Sequence, residues 1–270
     1  MGALAAAGAA VAAAGVGRRA RHEAPYRPTL ERLEIPVPAG LETPPRLRIG
    51  FIADTHVGSV LRPADIDRAL ALLLAMEPDL LLFGGDYVSE SPRHIPDAAA
   101  VLGNVACATK FGSFAVLGNH DYANGAGRLT AALEKRSVQV LRNESARVGD
   151  ETGGLWIAGI DDVLLGSPDV PSAFAGVPPD VRAIALWHEP DFAERVVRFG
   201  AFLQLSGHSH GGQVRLPVAG AIAAPKGGRR FVAGLNFAAG MPIYTTRGVG
   251  VYRPPVRFRC PPEVTLLTLI

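Results

Sequence analysis

Five short strings in this sequence carry side chains that a packed core does not select: Asp54-Thr55-His56, Gly84-Gly85-Asp86, Gly118-Asn119-His120-Asp121, His188-Glu189-Pro190 and Gly207-His208-Ser209-His210-Gly211. Their donor atoms are imidazole nitrogens and amide or carboxylate oxygens, with no thiolate among them. That set suits five- or six-coordinate Mn, Fe or Zn better than a structural zinc site. Asp54 and His56 are two residues apart, as are His208 and His210, so locally extended chain would point each pair the same way. One carboxylate can give an oxygen to each of two ions, and Asp86, on the middle string, is the candidate bridge. Two divalent ions bring +4, Asp54 and Asp86 bring −2 and the other ligands nothing, which leaves about +2 to attract a phosphate anion. Two such ions about 3.5–4 Å apart can activate a bridging water and stabilise phosphoryl oxygens during in-line displacement. The leaving alkoxide then needs a proton, which His120 can give, with Asp121 beside it to orient the imidazole.

Buried strands must position these groups. Short apolar runs at residues 48–53, 80–83, 113–117, 183–187 and 202–205 each end in one of the strings. Helical spacing runs through Ile66, Leu70, Leu73 and Leu74, and further helices are expected at residues 97–106, near 128–135 and after Pro190. Strand, helix, strand units of this length predict an α/β domain with largely parallel central strands, in which ligands gather beyond the carboxyl ends of the strands. Further strands are expected near residues 138–141, 155–160, 230–233, 242–246 and 264–270, and residues 207–230 read as a long loop or hairpin.

With 270 residues, 48% of them apolar and 19% charged, the chain belongs among ordered globular proteins. We expect one domain over residues 46–270, preceded by a Pro-rich linker at 18–45 with one edge strand around 33–37. A formal charge of +2 shows no dense basic face, so nucleic acid is not an expected partner, and a monomer is expected. Cys107 and Cys260 lack metal-like spacing and are read as small buried hydrophobes. Residues 1–17 form an apolar segment followed by Arg18, Arg19 and Arg21, which fits a membrane anchor or the remnant of an export signal. The segment falls just short of the roughly 17–25 apolar residues of a full span, and a loose Ala/Gly tail is the alternative. Membrane association is therefore the expected localisation, and the cytoplasm if the segment is no anchor.

In order along residues 46–215, the strings Asp-x-His, Gly-Asp, Gly-Asn-His-Asp, His-x-Pro and Gly-His-x-His resemble the signature of calcineurin-like metallophosphoesterases. The resemblance implies a four-layer αββα sandwich with two mixed β-sheets. It also implies one ion held by Asp54, His56, Asp86 and His210, a second held by Asp86, Asn119, His188 and His208, and His120 assisting the leaving group. Residues 207–213 and 257–263 resemble a narrower branch, the membrane-anchored bacterial phosphodiesterases.

Around this set, Gln213 and Arg229 are candidates to touch substrate, though a loop hydrogen bond for Gln213 and a solvated basic loop through Lys226, Arg229 and Arg230 are the alternatives. The apolar residues 216–225 either touch lipid or pack as a hairpin. Asp161 and Asp162 read as turn or cap residues, Glu189 as the start of a helix, and His22 and His94 as surface histidines. The expected activity is metal-dependent hydrolysis of a phosphoester, with a phosphodiester or pyrophosphate of a membrane lipid or nucleotide-sugar lipid as the expected substrate. A phosphomonoesterase and a non-catalytic metal-holding scaffold at the membrane are the competing readings.

Overall fold

A run such as Leu80–Phe83, apolar at every position, is what a strand covered on both faces requires. The computed structural model of the protein describes residues 17, 26–39, 46–58, 60–149 and 154–270. The expected anchor, apart from Gly17, and the linker residues 18–25 and 40–45 lie outside the described residues. The strands in chain order are β1 (Thr29–Ile35), β2 (Arg48–Ile52), β3 (Leu80–Phe83), β4 (Ser113–Ala115), β5 (Val138–Val140), β6 (Glu144–Val148) and β7 (Leu155–Gly159). They continue with β8 (Ala183–Leu186), β9 (Ala201–Ser206), β10 (Arg215–Leu216), β11 (Gly220–Ala221), β12 (Gly234–Ala238), β13 (Met241–Thr245) and β14 (Glu263–Leu269). The helices are α1 (Pro63–Leu74), α2 (Ile95–Ala106), α3 (Asn119–Glu134), α4 (Val170–Phe174) and α5 (Glu194–Val197).

Two six-stranded sheets form, ordered β1-β14-β2-β3-β4-β5 and β12-β13-β9-β8-β7-β6. Both are mixed: β2, β3, β4 and β5 run parallel while β14 is antiparallel to β2, and β7, β8 and β9 run parallel while β6 and β12 are antiparallel to their neighbours. The period-two alternation of side chains sorts the core into layers. Ile52, Leu81 and Phe83 point to α1, α2 and α3 with Leu70, Leu102 and Leu129. Phe51, Leu82 and Val116 point the other way, against Ile157, Ile184 and Leu205 of the second sheet. That sheet's outer face, with Ala158, Ala185 and Trp187, packs against α4 and α5 through Phe174 and Val196. The protein is a four-layer αββα sandwich with two mixed sheets.

Several elements depart from their sequence-based ranges. The edge strand starts at Thr29, not near residue 33, and its parallel pairing with β14 makes it part of the first sheet. The strand expected at residues 230–233 is a loop, because the backbone N–H groups of Arg229, Arg230 and Phe231 donate to the Asp191 carboxylate at 2.8, 2.9 and 3.2 Å instead of to a neighbouring strand. The helix expected near 128–135 begins at Asn119, inside one of the polar strings, with Gly125 at φ 111 interrupting its apolar spacing. Cys107 is exposed rather than buried, and only Cys260 fits the reading as a buried hydrophobe. Among the described residues no helix is long and apolar enough to cross a membrane.

Candidate metal centre

All five strings meet at one end of the sandwich. Asp54 and His56 follow β2, Asp86 follows β3, Asn119 and His120 open α3, His188 follows β8, and His208 and His210 follow β9. The pairs two residues apart do converge, but not through extended chain. Asp54 (φ 55), His56 (φ 46), Asp86 (φ 56), His208 (φ 67) and His210 (φ 51) all sit in the left-handed region. Such backbone costs non-glycine residues about 1–2 kcal/mol each and persists only where the surroundings enforce it. Here they do. The His208 N–H donates to the Asp54 carboxylate at 3.0 Å, the Asp54 N–H to the Gly85 carbonyl at 2.9 Å, and the Gly207 N–H to the His188 carbonyl at 3.1 Å.

The donor atoms stand at ligand-to-ligand distances. His56 Nε2 lies 2.9 Å from His210 Nε2 and 3.6 Å from Asp86 Oδ2. His210 Nε2 lies 3.7 Å from Asp54 Oδ1, and His188 Nε2 lies 3.2 Å from Asp86 Oδ2. Ligands bound at about 2.0–2.2 Å sit about 3.0 Å apart along an octahedral edge and about 3.4 Å apart along a tetrahedral one, so these spacings fit a shared cation. The partners of the remote ring atoms fix which lone pairs face inward. His188 Nδ1 hydrogen-bonds the Gly84 carbonyl at 2.7 Å, His208 Nε2 the Lys226 carbonyl at 2.9 Å, and His56 Nδ1 contacts the Ser89 hydroxyl. Asn119 Oδ1 and His188 Nε2, both on the cluster side, are buried without a hydrogen-bond partner, which native interiors avoid unless something else binds there. Asp54, His56 and His210 form one group of converging donors, Asp86, His188 and His208 another, and Asp86 also joins a group with His56 and His120. The residues present thus fit divalent cations, and Asp86 stands between His56 of one half and His188 of the other.

Electrostatics is tuned to the same end. Burial drives His56 down to about 3 against the pull of Asp86, and burial drives His208 down to about 4. Both are neutral at ordinary pH, as an imidazole must be to coordinate a cation. His210 is held well below its usual value by burial and then by the neighbouring His56. For Asp86, burial works against ionisation, but His188, His56 and His120 together hold the carboxyl well below its usual range. For His188, burial lowers the imidazole, but Asp86, Asp54 and Glu189 together raise it well above its usual value. Burial, opposed by His188 and reinforced by Asp86, lifts Asp54 to about 7.

His120 is half-buried, with its ring centroid 4.9 Å from that of His56 and 4.6 Å from Tyr252, and its backbone N–H donates to Asp86 Oδ1 at 2.8 Å. Asp121 does not orient it. The Asp121 carboxylate accepts from the backbone N–H groups of Asp86 (2.8 Å), Tyr87 (2.8 Å), Val88 (3.2 Å) and Gly118 (3.0 Å), so it splints the loop after β3 to the start of α3. Gln213 makes loop hydrogen bonds to the Tyr252 and Pro254 carbonyls at 3.1 Å each, and Arg229 Nε donates to the Ala224 carbonyl at 3.3 Å. Asp162 accepts from the Leu165 and Gly166 N–H groups, the turn role expected of it.

A cleft of about 370 Å³ opens over Asp86, Asn119, His120, His208 and His210. Gln213 and Arg253 lie on its wall, Arg229 does not, and most of the wall is apolar: Leu164, Val214, Ile222, Pro225 and Tyr252. Arg257 escaped the sequence reading of the site. It is fully buried, and its guanidinium donates to the carbonyls of Arg247 (2.8 Å), Gly248 (3.0 Å) and Cys260 (3.1 Å), fixing the turn in which Gly250 donates its N–H to the Asp54 carbonyl at 2.6 Å. No local pattern distinguishes such an arginine from an exposed one. Its only signal was the string at residues 257–263.

The family model described as calcineurin-like phosphoesterase matches residues 47–212. The chain belongs to the calcineurin-like phosphoesterase family. Phosphodiesterase YaeI of Escherichia coli (strain K12) is 35% identical over 228 residues, covering 83% of this chain and 82% of that protein. Metallophosphoesterase YkuE of Bacillus subtilis (strain 168) is 31% identical over 224 residues, covering 82% and 78%. A Bos taurus relative named transmembrane protein with metallophosphoesterase domain is 29% identical over 260 residues, of which this chain spans 57% of the length. Among solved structures, phosphopantetheinyl hydrolase from Mycobacterium tuberculosis superposes with a TM-score of 0.49 at 11% identity, covering 76% of this chain and 90% of that one. As a calcineurin-like phosphoesterase the chain is a metal-dependent hydrolase of phosphoric esters, with His and Asp clusters able to hold metal.

Proposed function

We propose that the protein is a binuclear phosphodiesterase whose substrate carries an apolar, lipid-linked group. The observation that carries this reading is Asp86, whose Oδ2 lies 3.6 Å from His56 Nε2 on one side and 3.2 Å from His188 Nε2 on the other. Asp54, His56, Asp86 and His210 would hold one ion, and Asp86, Asn119, His188 and His208 the other. When bound, two divalent ions, whether Mn, Fe or Zn, supply positive charge for the phosphoryl oxygens and an activated water as nucleophile. The chain's own groups do the rest. His120 lines the cleft, where its imidazole can give a proton to the departing alkoxide. Asp121 holds the loop carrying Asp86 in register with Asn119, so its part is positioning. The apolar wall of Leu164, Val214, Ile222 and Tyr252 leaves one ester arm out of water, which favours a diester with a hydrophobic substituent over a small phosphate.

Metal analysis paired with an ester panel tests the proposal. We expect two ions per chain, and faster turnover of bis-p-nitrophenyl phosphate than of p-nitrophenyl phosphate. We also expect His120→Gln to slow alkyl diesters by about 10²–10⁴ while sparing esters of p-nitrophenol, which leave without a proton. A faster monoester would reassign the substrate class to phosphomonoesters. Two bound ions with no hydrolysis would make the protein a metal-holding scaffold.

A further inference from the structure

The hairpin of β10 and β11 stands beside the cleft. Val218 at its tip is fully exposed, Ile222 is 60% exposed and Leu216 45% exposed. Water does not favour three aliphatic side chains on one short turn, and exposed apolar groups gathered in this way mark contact sites. The hairpin is also rooted firmly. Arg215 N–H donates to the Phe258 carbonyl at 2.9 Å, and Ile222 N–H to the Val214 carbonyl at 3.2 Å. Val218 has φ 68, a left-handed position at which a β-branched residue is strained, so its outward display has a conformational cost.

The stretch of chain that carries it holds charge of one sign. No Asp or Glu occurs between Glu194 and Glu263, whereas Arg215, Lys226, Arg229 and Arg259 fall within that stretch. Arg230 and Arg253 are paired, with Glu194 and Glu90, and Arg247 and Arg257 are engaged in the fold. No described carboxylate pairs with the side chains of Arg215, Lys226, Arg229 or Arg259. Those four are tied to the hairpin. Arg215 is in β10, Arg259 follows the Phe258 that bonds Arg215, Lys226 gives its carbonyl to His208, and Arg229 bonds Ala224 on the cleft wall. The same segment runs on into the cleft, since Ile222, Ala223, Ala224 and Pro225 line it.

We infer that the β10–β11 hairpin docks this protein on an anionic lipid bilayer, Leu216, Val218 and Ile222 entering the acyl boundary while Arg215, Lys226, Arg229 and Arg259 meet the headgroups. Aliphatic tips with flanking cations are what an anionic interface binds, by apolar burial and by charge attraction together. Docked in this way, the cleft would face the bilayer. The docking rests on the exposed hairpin and its cations and stands whichever ester is cut.

The test uses the full, metal-loaded chain and sedimentation with phosphatidylglycerol-containing vesicles. Binding is expected to fall at least tenfold on pure phosphatidylcholine and in high salt, and at least tenfold in Val218→Asp, with hydrolysis of soluble bis-p-nitrophenyl phosphate unchanged. Val218→Trp is expected to shift its emission to the blue on anionic vesicles. Wild-type binding by Val218→Asp, or an unshifted Val218→Trp spectrum, overturns the inference and assigns attachment to another part of the chain. Self-association without vesicle binding overturns it in favour of a protein contact. Loss of the soluble diester reaction with vesicle binding intact would instead count against the proposed function alone.

Discussion

At Asp86 two sets of donors share one carboxylate, and the protonation of its neighbours decides how a cation enters. His56 and His208, driven by burial to about 3 and 4, have no proton to lose near neutral pH. His188 and Asp54 differ: against burial, the carboxylates of Asp86, Asp54 and Glu189 together raise His188 well above its usual value, and burial lifts Asp54 to about 7. Both must be deprotonated to coordinate, so a cation displaces protons from them. The sign follows. For groups whose pKa in the metal-free protein is raised, metal affinity is weakest below neutrality and rises as pH passes through about 7. Titration calorimetry of metal-stripped protein in buffers of different ionisation heats is expected to show protons released on metal uptake, and apparent affinity increasing from pH 6 to 8. Uptake with no proton release would mean that His188 and Asp54 are not ligands.

The loops hold this arrangement through contacts that leave no room. A Cβ built on Gly118 would stand 2.3 Å from Asp86 Oδ1 and 2.7 Å from His188 Nε2, although the residue's backbone suits any amino acid. Gly118→Ala must therefore displace the shared carboxylate. We expect diesterase activity to fall at least a hundredfold while the denaturant midpoint reports a loss of about 1–3 kcal/mol, the usual cost of overpacking. Full activity at native stability would mean that Asp86 and His188 do not stand where the site needs them. Much of this element scale could be read in the sequence. The apolar runs ending in Asp54, Asp86, His188 and His208 were legible because doubly covered parallel strands need no alternation. What escaped were arrangements decided by distant partners. Asp121 looked like a catalytic neighbour of His120, yet its oxygens are taken by backbone N–H groups of Asp86, Tyr87, Val88 and Gly118. The spacing of Asp54 and His56 suggested extended chain, whereas their positive φ angles depend on tertiary hydrogen bonds that no dipeptide encodes. The strand expected at residues 230–233 was lost to a single carboxylate, Asp191, 38 or more residues away.

Seen across the whole molecule, the proposed ions join two sheets that elsewhere meet through apolar packing. Asp54, His56, Asp86 and Asn119 extend from the first sheet, and His188, His208 and His210 from the second. Each proposed ion would draw ligands from both, so it would act as a clip at the open end of the sandwich. Without cations that end brings the buried carboxylates of Asp54, Asp86 and Asp121 together, and Asp121 is itself pushed up to about 7 by burial and then by Asp86. A cation that binds the folded state alone stabilises it by about 4 kcal/mol at a thousandfold excess over Kd. For a domain of this size, at about 2–4 °C per kcal/mol, that is a rise in Tm on the order of 10 °C. Differential scanning fluorimetry of chelator-stripped protein, before and after Mn or Zn is restored, is expected to show that rise. Hydrogen exchange is expected to show the stripped protein opening first at the loops after β2, β8 and β9, because those segments lose their shared ligand while the apolar layers keep theirs. If stripping left both Tm and exchange unchanged, the two sheets would be held at that end by protein contacts alone, and a cation clip would have no place in the fold.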